Sequence, residues 1–318
     1  MRFRLWLVGL RFTVQWRPLA VLTAVAILAA GPALWFAGHA VDEEETRARE
    51  SLALAAELAG RHADHIVVEA FFELEAVARI ESAGAAGTFS EDEPLANFSA
   101  PIFLLNAEGE PLQLPDGWHG ESGELSEIVD SAAGSDDRSV SPPFTSPVTG
   151  HPTSALGLPL FGNDGTREGT VVGFLDLEEH IASDLSETMS RFGSQGHADL
   201  IGPGGVILAS TTHQVDDPGR HFDFYAGATE AGLAVVSDAV TSGPDGTPHV
   251  MAYEPLGAAP WGIAAGGART DVYRSADDLR RLALRLAIPA LVVLLIGFGL
   301  LTVSVDSRED GEAHHPGD

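Results

Sequence analysis

The chain has 318 residues, with 18 basic and 46 acidic side chains and a formal net charge of −28. It contains no cysteine and every base is an arginine, which excludes a thiol nucleophile, a disulfide, a cysteine metal site, a Schiff-base lysine and the phosphate-binding lysine of Walker-type and kinase folds. The acidity also excludes nucleic acid as a partner, because such a surface repels a polyanion.

The N-terminal segment combines positive charge with an apolar run. Residues 1–17 form an arginine-rich leader, and Pro18–Ala37 is a run of twenty uncharged residues. A spanning helix needs about 20 apolar residues, so we predict a transmembrane helix at 18–38, with the leader in the cytoplasm by the positive-inside tendency. The alternative is a cleavable signal peptide, with Gly38 and Ala40 close to a small-residue cleavage site.

A second apolar run, Leu286–Val303, has eighteen residues without a charge and predicts a transmembrane helix at 285–303. Residues 304–318 then form an acidic cytoplasmic tail. Arginines on the outer side of this span argue for the opposite orientation, but the first span usually decides; they are Arg280, Arg281 and Arg285. We therefore expect a two-pass protein of the cell membrane with an extracytoplasmic central domain.

The central region reads as a long helix followed by short strands. The helix is predicted at Asp42–Ser82, and its small or apolar residues form a seam at helical spacing: Ala55, Ala59, His62, Ile66, Ala70 and Val77. The seam predicts a parallel homodimer, because small residues allow two helices to approach closely. A linking helix is predicted at Glu178–Phe192 and an exit helix at Asp271–Arg285. Strands are predicted at Ile102–Leu105, Thr153–Leu160, Thr170–Leu177, Asp199–Ile201, Val206–Ala209, His249–Pro255 and Trp261–Ala265.

Part of the central region is repeated at a constant offset. Ile102–Leu112 aligns with Ala198–Leu208 at an offset of 96 residues, and Gly150 to Pro152 aligns with Gly246 to Pro248 at the same offset. A period of this size matches one small domain rather than a solenoid repeat. The repeat predicts two modules, a membrane-distal one at 39–183, which includes the long helix, and a membrane-proximal one at 184–284, which includes the exit helix.

Each of the two predicted modules contains a series of short motifs. They are Val140–Phe144, Thr149-Gly150, Pro159-Leu160, Asp164-Gly165 and Gly173–Leu177 in the first, and Gln195–Asp199, Gly204–Ser210, Gly219-Arg220 and Pro260–Gly262 in the second. With these motifs the central region resembles the double Cache extracytoplasmic sensor domains of bacterial histidine kinases and chemoreceptors. The resemblance implies an α+β fold: two tandem PAS-like modules with antiparallel sheets, on a long N-terminal helix, flanked by two transmembrane helices.

The resemblance also implies a small-molecule pocket in the distal module and a signal that passes inward through the helices. Members of the family usually continue into a cytoplasmic output domain, and we expect none in the fifteen residues from Ser304 to Asp318. A separate partner, such as a membrane histidine kinase or another signalling protein, is then expected to receive the signal.

The predicted pocket centres on Asp176 and Phe144. The resemblance makes Asp176 the aspartate that receives a ligand amine, and Phe144 stands for the strand aromatic of members that bind amino acids. The alternation of residues places Asp176 on the strand face opposite Leu175 and Leu177, although a surface position is the plainer alternative. Further lining is predicted at Phe103, Trp118, Arg138, Ser141 and Thr153, although Trp118 and Arg138 depart from the spacings of the family's ligand cluster.

Three functional classes follow from these features. The first is a membrane-anchored sensor, and the alternative is a non-signalling extracytoplasmic binding or scaffold protein. An anchored hydrolase is disfavoured, because the sequence has no G-x-S-x-G elbow and no H-E-x-x-H motif. We therefore expect no enzyme activity, no cofactor and no metal; His62 and His65 share a helix face, but two ligands do not make a site.

Overall fold

The computed structural model describes residues 3–7, 10–14, 16–82, 97–98, 102–110, 112, 137–162, 164–182, 185–186, 189, 196–212, 222–241 and 247–309, with side chains from residue 35 onward. Within residues 35–309, the side chains of 80–82, 182, 222, 238–241, 290, 293–294 and 297–309 are also outside this description. The chain divides into two compact units, one of residues 48–272 and one of residues 1–47 with 273–318.

The long helix, α1, runs from Trp16 to Ser82. Between Asp42 and Ser82 it contains no proline, and one face is buried along residues 52–78, including Leu52, Ala63 and Leu74. Ion pairs one turn apart stabilise the exposed side, as between Arg61 and Glu57. The prediction of a helix at Asp42–Ser82 is therefore correct.

The small-residue seam of α1 is buried within a single chain. Ala55, Ala59 and Ala70 are at most 7% exposed. The helix also bonds to both modules: Asp64 accepts the backbone N–H groups of Gly257 and Ala258 at 2.9 Å. At the other module, Glu73 accepts the Asn97 amide at 2.8 Å. The interpretation of this seam as a dimer contact is wrong, because the chain's own residues cover it.

The first sheet has five antiparallel strands in the order β3-β7-β6-β4, with β5 also paired to β6. The strands are β3 (Phe103–Asn106), β4 (Ser139–Val140), β5 (Phe144–Thr145), β6 (Pro152–Phe161) and β7 (Arg167–Asp176). Asp164 closes the β6–β7 turn by accepting the Thr166 N–H at 2.9 Å. A π-helical turn, Glu178–Ala182, follows β7, and it begins where the linking helix is predicted.

The second sheet has the order β10-β11-β12-β8-β9, and its pairs are also antiparallel. Its strands are β8 (His197–Ile201), β9 (Ile207–Ser210), β10 (Val235–Thr241), β11 (Pro248–Pro255) and β12 (Gly262–Ala268). Helix α2, Phe222–Ala231, packs on one face of this sheet through Tyr225 and Ala228. Neither α2 nor β10 is among the predicted elements.

The strands of the two sheets pair at corresponding positions. Phe103 faces Val172 across β3 and β7, and Asp199, 96 residues later, faces Ala264 across β8 and β12. Thr153 faces Asp176 in the first sheet, as His249 faces Ala268 in the second. The sequence repeat therefore corresponds to a strand order that the two sheets share: β8, β12, β11 and β10 match β3, β7, β6 and the edge formed by β4 and β5, whereas β9 has no counterpart among the described strands. The mixed fold of antiparallel sheets with a long N-terminal helix is confirmed, and the exact module boundaries stay predictions.

The second unit contains the chain's terminal elements. Strands β1 (Phe3–Leu7) and β2 (Leu10–Val14) form an antiparallel hairpin. After the short helix α3 (Arg269–Val272), which closes the first unit, helix α4 runs from Arg274 to Glu309. In the described ranges of the chain, no helix offers an apolar stretch of the length that a membrane crossing requires. The spans at 18–38 and 285–303 stay predictions.

Candidate functional site

One face of the first sheet carries an aromatic cluster next to a carboxylate. The cluster consists of Phe103, Leu105, Ala155, Val172 and Phe174, with Phe144 packed against it. The ring of Phe174 lies 4.7 Å from that of Phe103 and 5.0 Å from that of Phe144, centroid to centroid. Asp176 follows Phe174 by two residues on the same strand, so its side chain emerges on this face. We call this buried side of the sheet the aromatic face.

The opposite face of β7 is also buried, so the strand does not have one core side and one open side. Leu175 and Leu177 are buried, as expected, but so are Phe174 and Asp176. Phe98 occupies the space beside Gly173, where an added Cβ would lie 2.5 Å from the ring. Asp176 therefore lies on the strand face opposite Leu175 and Leu177, as predicted. The alternative, that Asp176 is a surface residue, is wrong because its side chain is buried.

Both carboxylate oxygens of Asp176 have partners. Oδ1 accepts the backbone N–H groups of Glu178 at 3.0 Å and Glu179 at 2.9 Å, so it caps the π-helical turn as an N-cap residue does. Oδ2 lies 2.7 Å from Nδ1 of His151. The carboxylate is fully buried, whereas the His151 side chain is 50% exposed. His151 thus stands between Asp176 and the solvent side.

Sequence reasoning missed His151. The hydrogen bond that the imidazole donates to Asp176 raises the pKa of His151, the charge of Asp176 adds to this increase, and Glu178 and Glu179 act in the same direction. The position of His151 follows from the register of strand pairing between β5, β6 and β7. Phe144 pairs with Thr153, and Thr153 pairs with Asp176. This pairing brings the residue just before β6 close to the end of β7.

Thr153 and Ser141, two of the predicted lining residues, have defined structural partners. The Thr153 hydroxyl donates to the His151 carbonyl at 3.0 Å. The Ser141 hydroxyl donates to the Pro142 carbonyl and accepts the Ala155 N–H, both at 2.8 Å. Each hydroxyl therefore fixes the backbone of β6 or of the segment before it, beside the aromatic face.

Arg138 contacts α1. Its guanidinium forms an ion pair with Glu75 and lies 5.3 Å from the ring centroid of Phe71 and 5.8 Å from that of Phe72. The hydrogen bond from Arg138 lowers the pKa of Glu75. Trp118, the remaining predicted lining residue, lies outside the described residues. The structure thus brings Phe103, Phe144, Thr153 and Asp176 together, and a ligand-binding role for the set stays a prediction.

The second sheet carries a buried polar cluster under α2. Asp199 accepts the Ser210 hydroxyl at 2.6 Å and the Tyr225 hydroxyl. His197 and His249 are buried with their rings 5.8 Å apart, and His197 Nε2 lies 3.8 Å from Asp199 Oδ2. Tyr225 belongs to α2 and Asp199 to β8, so this cluster joins the helix to the sheet. Over the described ranges, no three His, Asp or Glu side chains are arranged to hold a metal ion.

No protein-family model matches the chain, and no curated protein matches it. Solved structures do match. The ligand-binding domain of Mlp24 with asparagine aligns with a TM-score of 0.54 at 13% identity, over 74% of this chain and 98% of that chain. The ligand-binding domain of the Pseudomonas fluorescens chemoreceptor CtaA in complex with L-isoleucine aligns with a TM-score of 0.52 at 16% identity, over 74% and 98%.

The extracellular domain of rpHK1S-Z16, described as a histidine kinase, aligns with a TM-score of 0.51 at 17% identity, over 72% of this chain and 96% of that chain. These matches span almost the whole of each solved domain. The chain therefore has the fold of the Cache-type ligand-binding domains of chemoreceptors and histidine kinases, which confirms the resemblance drawn from its sequence.

Proposed function

We propose that this protein is a membrane-anchored extracytoplasmic sensor that binds a small amine-bearing molecule at the aromatic face of its distal module. The observation that carries the proposal is the buried carboxylate of Asp176 on the same sheet face as three phenylalanine rings. A buried anion attracts a cation strongly, and aromatic walls favour an apolar group beside it. The fold, shared with domains that bind small ligands, supports the same conclusion.

The ligand chemistry follows from the residues at this face. Phe103, Phe144 and Phe174 form an apolar cluster in which Phe144 is only partly buried, and Asp176 provides the negative charge. An aliphatic side chain next to an ammonium group fits both. L-isoleucine has these two features and is bound by the CtaA domain, so it is a suitable first probe. Trp118, Arg138, Ser141 and Thr153 complete the proposed lining.

Calorimetry on the full-length chain in detergent tests the proposal. We expect L-isoleucine to bind and 3-methylpentanoate, which lacks only the amine, to fail. Asp176→Asn keeps an oxygen for the backbone N–H groups and removes the charge, so it should abolish binding. Asp164→Asn is the matched control, because Asp164 lies on the exposed β6–β7 turn and its loss should leave binding unchanged. Equal binding by wild type and Asp176→Asn would place the ligand elsewhere.

We further propose that Pro18–Ala37 and Leu286–Val303 anchor the protein as two spans. Their lack of charge supports this, and they fall within the long helices α1 and α4. Because the chain has no cysteine, single substitutions report topology cleanly. Ser51→Cys should react with an impermeant maleimide on intact cells and Ser304→Cys should not. Labelling of both, or of neither, argues against a two-pass topology.

The homodimer stays part of the proposal, but with a different helix face. Leu54, Leu58 and Phe72 are each more than half exposed on α1, at spacings that place them along one stripe. A second copy would cover this stripe. Disulfide crosslinking should therefore be efficient for Leu54→Cys and Leu58→Cys and poor for Ala55→Cys and Ala59→Cys, which are buried within the chain. The reverse pattern contradicts the revised face.

A separate membrane protein, such as a histidine kinase, is the proposed recipient of the signal. The continuous helix α4 supports a route through its first turns, by shifts of about 1–2 Å. Inserting Gly-Gly-Ser after Asp278 should uncouple ligand binding from the partner's response. An unchanged response after the insertion excludes this helix as the route, and the absence of any response in the wild type favours the non-signalling alternative.

A further inference from the structure

His151 occupies the position at Asp176 that a ligand amine would need. Oδ1 of the carboxylate is held by the backbone of Glu178 and Glu179, which cannot leave without breaking the π-helical turn. Oδ2 is held by a side chain that is half exposed. Of the partners that the described residues give Asp176, only the imidazole can be released by rotation of a side chain, so an approaching cation meets His151 first.

The backbone of His151 is held by three hydrogen bonds, whereas its ring has one among those that the structure describes, with Asp176. Its carbonyl accepts the Ser146 N–H at 2.9 Å and the Thr153 hydroxyl at 3.0 Å, and its own N–H donates to the Thr149 hydroxyl at 3.3 Å. Displacement of the ring therefore costs one ion pair at a half-exposed site and does not require the loop between β5 and β6 to move.

We propose that His151 is a built-in competitor for the ligand amine, so that a cationic ligand binds Asp176 only by displacing the imidazole, and binding is coupled to release of a proton. This inference rests on the proposed function. His151 is then a specificity-determining residue. At low pH its charged ring keeps cations away from Asp176, and at higher pH cations displace the ring from the carboxylate.

The charges around His151 determine whether the affinity for a cation rises or falls with pH. The groups that face it in the described part of the chain are Asp176 at the end of β7 and Glu178 and Glu179 on the π-helical turn, and all are acidic. They hold the pKa of His151 above its ordinary value, so the imidazolium persists into the range where a free histidine is neutral. Below this pKa a cation must displace a charged ring, and above it a neutral one.

The magnitude is set by proton linkage. The displaced ring loses its proton only between about pH 6.5, the ordinary value for histidine, and the raised pKa of His151. In this window the affinity for a cation rises by up to about tenfold per pH unit, and below and above it the affinity is constant. A ligand amine with a pKa of about 10.4, like that of lysine, stays charged throughout. The pH dependence of the affinity then comes from groups of the protein and not from the ligand.

The test uses the full-length chain and 2-methylbutylamine, which is L-isoleucine without its carboxylate, with L-isoleucine as a second probe. Calorimetry between about pH 5.5 and 8.5, in two buffers of different ionisation enthalpy, gives the affinity and the number of protons released. We expect the rising profile for the wild type. His151→Ala should bind both amines more tightly at low pH, with no dependence on pH and no proton release.

A pH-independent affinity in the wild type would overturn this inference but not the proposed function. Weaker binding by His151→Ala would have the same consequence, because His151 would then be a contact of the ligand. Absence of binding by both amines to both proteins overturns the proposed function itself. NMR titration of His151 without ligand is an independent arm: its pKa should fall towards about 6.5 in Asp176→Asn, and an unchanged titration also overturns the inference.

Discussion

Removal of the Tyr225 hydroxyl should destabilise the second sheet and its helix α2 far more than the size of the hydroxyl suggests. This hydroxyl reaches from α2 to Asp199 on β8, and both residues are buried. Tyr225→Phe keeps the ring and leaves a buried carboxylate with one donor fewer. A buried polar group that loses its partner costs about 1–3 kcal/mol, and water cannot replace the donor easily, because the Asp199 side chain is only 4% exposed.

Tyr253→Phe is the matched control. Tyr253 lies in the same module and is 3% exposed, and burial raises the pKa of its phenol. The described residues offer its hydroxyl no hydrogen-bond partner. Urea unfolding of the full-length chain should therefore show a loss of about 1–3 kcal/mol for Tyr225→Phe and a change within about 0.5 kcal/mol for Tyr253→Phe. Equal losses would contradict this prediction, because the loss of stability would then be a property of any buried phenol.

Three further predictions concern backbone, pH and charge. Gly204→Ala should lose about 1–2 kcal/mol of stability, the cost of a left-handed backbone for alanine at a φ of 74°. Gly205→Ala should lose more, because its Cβ would also lie 2.5 Å from the Ala226 nitrogen; equal urea midpoints would contradict the close approach of α2. The contribution of the His151–Asp176 ion pair to the free energy of unfolding should be complete below about pH 6.5 and should disappear as the pH rises through the raised pKa of His151. A difference in stability between wild type and His151→Gln that grows with pH would contradict this prediction. Glu75→Gln should weaken the hold of α1 on Arg138, seen as faster hydrogen exchange near residue 138, and unchanged exchange would count against it.

Much of the fold could be predicted because local and long-range signals agree. Strands β6 and β7 are apolar and joined by a turn whose Asp164 bonds to Thr166, and both ends were placed within a few residues. The repeat at 96 residues gave the equivalence of the sheets. Helix α2 was missed, because Phe222–Ala231 holds Gly227 and a β-branched Thr229, which are weak helix formers; the packing of Tyr225 against the sheet stabilises it.

The site was predicted less completely, for reasons of register. Asp176 and Phe144 follow from the resemblance, but the position of His151 depends on how β5 pairs with β6, and two-residue strands carry almost no periodic signal. The α1 seam shows a related limit. A stripe of small apolar residues indicates that a helix face is buried, and it does not reveal whether the chain's own sheets or a second copy cover it.

The proposed sensor function requires that Asp176 receives a ligand amine. A calorimetric titration of the full-length chain with 2-methylbutylamine at about pH 8.5, where His151 should compete least, compares wild type with Asp176→Asn and Asp164→Asn. We predict saturable binding by wild type and Asp164→Asn and none by Asp176→Asn. Binding that survives in Asp176→Asn with unchanged affinity would contradict this role of Asp176.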